Sequence, residues 1–440
     1  MKNLFKIYLP TFLLIFLFNS SHANLRIDIT EGNTEPIPLA LLNFSSNNKE
    51  DDKITKRIIK VVSNNLERSG LFEILDKKIF LEEKISFNSK PSFSDWRITK
   101  AQGLIHGRII KINVDEIRIE FRLWDILSEK QMIAQQLTTK RTNWRRISHV
   151  ISDIIYQRIT GESGYFDSRI VYISESGEKK NKRKRLAIMD QDGANHKFLT
   201  DGSYLALTPR FSPAAQQIAY FSYHNGDPRV FLLDLDTGYQ KILGDFPGMS
   251  FAPRFSPDGK KIIMSLAKKG NTDIYEMNLK TGKLEQITTY KGIDTAPSYS
   301  PDGKNIVFES DRSGSQQIYV LNMKTKKKKR ISFGNGRYAT PVWSPRGDTI
   351  AFTKLLGGEF YIGVMYTDGK GERVLYSSYL VEGPTWAPNG RVLSFYSQTK
   401  IKKNKITPPR IKIIDLTGSN LREIITPSDA SDPAWSGLLP

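Results

Sequence analysis

The side chains best suited to chemistry are few. No cysteine occurs, so neither a thiolate nucleophile nor a thiolate metal site can be built. Four histidines follow the leading segment: His106, His149, His196 and His224. None stands in the His-x-x-x-His or Glu-x-x-His spacing that would set two ligands on one zinc ion. His106 falls in an apolar run and reads as a hydrogen-bonded core residue. No Gly-x-Ser-x-Gly elbow and no phosphate-binding loop is present. Asp190-Gln-Asp-Gly193 has the opening of a calcium loop but not the distal Glu or the further oxygen ligands, and reads as a hairpin turn. An enzyme would have to work with carboxylates alone, and these recur in step with a repeat, which assigns them to turns. The expectation is a binding protein with no catalytic residue, no metal site and no cofactor.

The repeat organises the rest. Pro209-Arg-Phe-Ser-Pro213 returns as Pro253-Arg-Phe-Ser-Pro257, Pro297-Ser-Tyr-Ser-Pro301, Pro341-Val-Trp-Ser-Pro345, Pro384-Thr-Trp-Ala-Pro388 and Pro433-Ala-Trp-Ser436. The fourth positions lie 44, 44, 44, 43 and 49 residues apart. Asp-Gly follows the motif at Asp258-Gly259 and Asp302-Gly303, a tight turn in which Pro presets φ and Gly accepts a positive φ. Ala214-Ala215, Arg346 and Asn389 break that pattern, and the turn after Pro213 must change type. Three further short β-rich runs complete each unit, for example Ile306–Phe308, Ile318–Leu321 and a final run before the next motif. Four strands in about 44 residues are one propeller blade. The first unit lacks its Pro-x-aromatic strand and the last motif has nothing after it. The fold expected for residues 163–440 is therefore an all-β six-bladed β-propeller closed by the C-terminal strand, with Pro433–Ser436 completing the first blade.

Residues 36–162 read as an α/β domain. Ile37–Phe44 is a continuous apolar strand, Ile54–Ser69 an amphipathic helix ended by Gly70, and Phe72–Leu75 a second strand. A short helix opens at Ser94; strands follow at Gly103–Ile110, Ile117–Asp125 and Lys130–Thr138, and Asn143 caps a last helix. Lys2 and Lys6, the apolar run Ile7–Phe18 and the small-x-small site Ser21-His-Ala23 make residues 1–23 a secretory signal peptide cleaved after Ala23. Residues 24–35 form a mobile N-terminal segment. Its alternating Leu25–Ile29 suits either addition to another protein's sheet edge or an ordinary first strand, and the residues do not decide.

The net charge is +19, with local clusters at Lys179–Arg185, Lys324–Arg330 and Lys400–Lys405. Each lies at an expected hairpin turn, where charge is solvated, and no nucleic-acid motif accompanies it. Neither a nucleic-acid partner nor membrane insertion is expected, and the chain reads as a monomer.

An exported α/β domain followed by six Pro-x-aromatic units resembles the TolB family of the bacterial Tol–Pal system. Ser69-Gly-Leu-Phe72, Asp95-Trp-Arg97 and Phe121-Arg-Leu-Trp-Asp125 add to the likeness. The resemblance implies a periplasmic protein that binds the lipoprotein Pal through the propeller and TolA through the mature N-terminus, in support of outer-membrane integrity and constriction during cell division. Carried onto this chain, the N-terminal contact is Leu25, Arg26, Ile27, Asp28 and Ile29. The propeller contact is the set of loops before the Pro-x-aromatic strands, with Met249, Ala252, Asp294, Thr295, Ala296, Arg337, Tyr338, Thr340 and Glu382. A basic surface complements an acidic partner in principle. The alternative is an exported propeller accessory to a peptidase, or a carbohydrate-binding module.

Overall fold

The computed structural model describes residues 35–82, 85–178, 181–224, 226–244, 249–401 and 405–440. Ala23, Leu25, Arg26, Ile27, Asp28 and Ile29, and with them the signal peptide and the N-terminal contact, lie outside the described residues.

The α/β domain is one five-stranded sheet. Its strands are β1 (Ile37–Leu41), β2 (Phe72–Ile74), β3 (Gly103–Lys111), β4 (Glu116–Asp125) and β5 (Lys130–Lys140), in the order β2-β1-β3-β4-β5. β1 runs parallel to both neighbours, and β3, β4 and β5 form an antiparallel meander. Helices α1 (Lys49–Arg68) and α3 (Trp144–Thr160) pack on each other and on one face, against Leu39, Leu41 and Ile105. The segment carrying α2 (Phe93–Ile98) covers the other face, where Ala40, Leu42 and Leu104 meet Trp96 and Trp124. Coverage on both sides explains why β1 is apolar at successive positions rather than alternating.

Three local expectations shift. α1 starts at Lys49, not Ile54; Asn48 is its N-cap, with Oδ1 accepting the Asp51 N–H at 2.9 Å, and Glu50, Asp51 and Asp52 favour the positive end of the helix. That first turn has no apolar side chain, so hydrophobic periodicity misses it. The β1 strand ends at Leu41, and only an isolated bridge at Ser45 continues it. Asn143 precedes α3 without making a side-chain cap bond, because a 3₁₀ turn at Arg141–Asn143 already leads into the helix.

The propeller has six four-stranded sheets, and the innermost strand of each carries the Pro-x-aromatic motif. These strands are Asp429–Trp435 for blade 1, then Leu207–Phe211, Met249–Phe255, Asp294–Tyr299, Arg337–Trp343 and Leu380–Trp386 for blades 2 to 6. Every innermost strand touches the next around the circle, and Asp429–Trp435 touches those of blades 2 and 6. It pairs antiparallel with Arg169–Ser176, so strands from both ends of the propeller sequence share one sheet and the ring is shut.

The turns behave as their residues dictate. In blades 3 and 4 the serine hydroxyl donates to the turn aspartate (Ser256 to Asp258 and Ser300 to Asp302, each 2.6 Å). The glycine N–H closes the turn on the serine carbonyl, at 2.9 Å for Gly259. In blade 2, with Ala214-Ala215, the closure changes to Gln217 N–H on the Ala215 carbonyl at 2.8 Å. Lys400–Ile401 and Lys405–Ile406 form the small extra hairpin of the enlarged blade 6 loop.

The α/β domain sits on the propeller face that carries the turns between first and second strands and between third and fourth. Arg346 in a first-to-second turn pairs with Glu162 at 2.5 Å, and Asn420 in a third-to-fourth turn donates to the Arg68 carbonyl at 2.8 Å. Its core runs on into blades 1 and 6 through Tyr156, Tyr165, Phe166, Ile170, Ile411 and Trp435. In the connecting segment, Asp153 accepts the N–H groups of Phe166 (2.7 Å) and Asp167 (2.9 Å).

Candidate functional site

The α/β domain rests on one face of the propeller; the mouth of the channel on the other face, where the innermost strands begin, is clear of it. Its wall repeats a feature that the sequence alone does not announce. Each innermost strand breaks register with its neighbour at the proline. The preceding residue has a left-handed backbone: Thr208 (φ 46°), Ala252 (50°), Ala296 (51°), Thr340 (46°), Gly383 (66°) and Asp432 (48°). Proline cannot donate to the ladder, so each strand bulges there and re-aims the backbone beside it. Five of the six are not glycine, so the conformation costs on the order of 1–2 kcal/mol each. This strain is repeated once per blade around one channel.

The second strand supports the ring. Ser265 Oγ accepts the Ala296 N–H at 3.2 Å, Glu309 Oε2 accepts the Thr340 N–H at 3.3 Å, and the Thr340 and Thr353 hydroxyls bond at 2.8 Å. Tyr396 donates to Glu382 Oε2 at 2.8 Å. Replacing Ala296 by Gly should remove the Cβ strain while keeping the bond to Ser265, and raise stability by about 0.5–1 kcal/mol. Ala296→Val should lower it; paired thermal denaturation curves give the order of the three proteins.

The nine expected contact residues fall in the innermost strands themselves rather than in loops before them, because pairing with the second strand continues on both sides of the bulge. Met249 and Arg337 are exposed at the rim; Ala252, Thr295, Ala296, Thr340 and Glu382 are half-buried along the wall. Two are turned away. Asp294 is fully buried, with both carboxylate oxygens held by Arg312 Nη2 at 2.8 and 2.6 Å. Tyr338 is fully buried and donates to Glu372. Both brace the rim from behind and offer a partner no side chain. Thr208, Gly383 and Asp432 complete the ring and were not singled out by sequence; the motif register alone would have placed them beside Ala252, Ala296 and Thr340.

Carboxylates on this wall are held toward their neutral form. Burial raises Glu309 to about 7, with Glu382 and Asp311 adding to the rise, and burial also raises Glu382 and Asp432. Burial similarly lifts Asp153 to about 6. A carboxyl raised on folding adds stability at low pH that is lost as pH rises through the folded value. His106 works in the opposite direction. Burial and the charge of Arg122 lower it to about 4, so its contribution is lost as pH falls below its ordinary 6.5. Comparison with Glu309→Gln isolates one group: between about pH 4.5 and 7, wild type should lose about 1–3 kcal/mol relative to the variant. Denaturant melts at pH 5 and 7.5 check this.

Among the described residues, His106 and His149 are both held by buried neighbours. His106 Nε2 accepts the Trp124 indole N–H at 3.0 Å in the core. His149 lies beside Asp190 and Asp192, the one such trio close enough for a metal among the described residues, but the carboxylates are taken. Arg145 bonds both, at 2.9 Å to Asp190, and Arg68 reaches Asp192 at 3.5 Å. Asp190–Gly193 is a turn, closed by Gly193 N–H on the Asp190 carbonyl, and its charges tie the two domains together.

These features define a class: a closed six-bladed propeller, capped on one face by an α/β domain and presenting a strained channel mouth on the other. Residues 25–132 match the family model described as the TolB amino-terminal domain, and residues 156–439 that of the TolB beta propeller domain. The Tol-Pal system protein TolB of Paramagnetospirillum magneticum is 58% identical over 421 residues, covering 96% of this chain and 94% of that protein. That of Pelagibacter ubique is 56% identical over 438 residues, covering 97% and 98%. The crystal structure of TolB from Acinetobacter baumannii superposes with a TM-score of 0.81 at 28% identity, covering 94% of this chain and all of that one. The chain belongs to the TolB family, and is a component of the Tol–Pal system of the cell envelope. No helix among the described residues is long and apolar enough to cross a membrane.

Proposed function

We propose that this protein is a non-enzymatic periplasmic adaptor of the Tol–Pal complex. It binds a Pal-like outer-membrane lipoprotein at the uncapped propeller mouth and a TolA-like inner-membrane protein through Leu25–Ile29, supporting outer-membrane integrity and constriction during division. The observation that carries this reading is the ring of six left-handed residues at the mouth away from the α/β domain, one per blade and five of them not glycine. Ala252, Ala296, Thr340 and Glu382 line the bound surface, with Met249, Thr295 and Arg337 at its edge. Asp294 and Tyr338 act from behind by fixing the rim. Secretion after cleavage at Ala23 delivers the chain to its partners.

Capture of periplasmic proteins by the full mature chain, and by one lacking residues 24–33, tests both contacts. The lipoprotein should be retained by both, and the inner-membrane partner only by the longer. Recovery of no lipoprotein with either would refute the reading, as would turnover of peptide or glycan substrates. Met249→Lys with Arg337→Glu should weaken lipoprotein capture about tenfold or more while leaving the melting temperature unchanged, since both side chains are exposed.

A further inference from the structure

The end of the channel nearer the α/β domain has a different chemistry from the mouth. A cavity of about 350 Å³ opens there, lined by the residue between proline and aromatic in all six blades. Four of these are small: Ser298, Val342, Thr385 and Ala434. The other two, on adjacent blades, are Arg210 and Arg254. Two guanidiniums therefore share one confined space.

Neither has an ion-pair partner within 4.0 Å among the described residues. Arg210 Nη1 donates to its own Pro209 carbonyl at 2.6 Å, and Arg254 makes no side-chain hydrogen bond to a described residue. Asp432 on blade 1 attracts Arg210 from beyond ion-pair distance. Burial lowers both guanidiniums, and the charge of Arg210 further lowers Arg254. Like charges held in a half-dry channel repel strongly unless an anion screens them.

A third donor adjoins them. In blades 3 and 4 the motif serine spends its proton on the turn aspartate. Blade 2 has Ala214 in that place, so Ser212 Oγ only accepts, from the Ala214 N–H at 3.3 Å, and its own proton is available toward the cavity that it lines. Blade 5, with Arg346 in that place, leaves Ser344 Oγ accepting in the same way, but only the blade 2 departure falls beside Arg210.

We propose that Arg210, Arg254 and the Ser212 hydroxyl form a binding site for a small oxyanion inside the propeller channel. Planar guanidinium forks suit two oxygens of a phosphate, sulfate or carboxylate, and the serine suits a third. Charge alone would attract chloride as well; the fork geometry is what selects an oxyanion.

The test uses the mature protein, with inorganic phosphate and acetate as probes and chloride at matched ionic strength as control. Phosphate or acetate should raise the melting temperature above the chloride control and give a saturable calorimetric isotherm; the two probes separate a tetrahedral anion from a carboxylate as the better ligand. Arg254→Gln should weaken binding about tenfold or more. In low-salt buffer free of oxyanions it should also melt above wild type, since repulsion is relieved, which a merely structural arginine would not do. Arg254→Lys keeps the charge and loses the fork, and should lose the preference over chloride. An oxyanion effect no larger than that of chloride, or an unchanged phosphate isotherm in both Arg254 variants, overturns the proposal.

Discussion

Removal of residues 429–440 is expected to open the propeller and abolish its cooperative unfolding. The deleted strand is the innermost one of blade 1, and Ala430, Ala434 and Trp435 within it are buried. Trp435 stacks edge-on against Tyr165 with ring centres 5.9 Å apart, and its indole N–H donates to Ser168 Oγ at 2.8 Å. Ser431 donates to Glu175 at 2.8 Å, and Ser436 Oγ accepts the Arg169 N–H at 2.9 Å. Losing Trp435 alone should cost about 3–5 kcal/mol, a large part of the roughly 5–15 kcal/mol that holds a domain folded. Deletion adds the loss of a whole ladder and leaves Arg169–Ser176 as a bare edge in the middle of a ring. Blades 2 and 6 lose a shared neighbour at the same time. Scanning calorimetry should show a broadened transition at much lower temperature, and hydrogen exchange should rise first across Arg169–Ser176. A truncated protein melting at the wild-type midpoint would refute ring closure as the source of stability. Trp435→Ala in the full chain should fall between the two.

That closure was legible because the motif combines three independent constraints at a fixed interval: a proline, an aromatic and a serine-led turn. The displacement of one motif to the chain end had a single geometric resolution. The α/β domain was legible wherever burial imposed a period, as along β4, and also where both faces are covered, as in β1. It was not legible in the first turn of α1, where all the side chains are charged and only the capping geometry marks the start. The candidate site was half legible. Its position followed from strand order, but its backbone did not. A residue before proline is sterically biased toward extended conformations, so Ala252 or Thr340 in isolation gives no reason to expect a positive φ. Only the bulge, set by what the second strand can pair with, forces it. Nor does sequence tell which way a rim residue points. Asp294 is buried because Arg312, in the turn between the second and third strands of its blade, folds back onto it. That contact depends on blade geometry and on no local pattern.

Breaking the ion pair between Arg391 and Asp415 is expected to produce the largest loss from a single polar substitution. Arg391 Nε meets Asp415 Oδ2 at 2.6 Å, and the two side chains are only 7% and 6% exposed. The pair joins the start of the second strand of blade 6 (Val392–Gln398) to the end of its third (Arg410–Asp415), beside the buried Ile414. Asp415 Oδ1 also accepts the N–H and hydroxyl of Thr417, at 2.9 and 2.8 Å, so one carboxylate fixes both the pair and the following turn. Asp415→Ala leaves a guanidinium in the interior without its carboxylate and should cost about 3–5 kcal/mol. The pair need not be worth that much in itself, because burying both charges already costs several kcal/mol. Replacing both residues, as in Arg391→Met with Asp415→Leu, should therefore recover most of what Asp415→Ala loses, less the turn bonds to Thr417. A double-mutant cycle by denaturant unfolding separates the two quantities. If Asp415→Ala unfolds within about 1 kcal/mol of wild type, water reaches Arg391 and the site is not an interior one. If instead the double substitution is as damaging as the single, the pair contributes net attraction rather than mutual neutralisation. In that case blade 6, on which the α/β domain also rests through Asn420, is held by charge as much as by its apolar core.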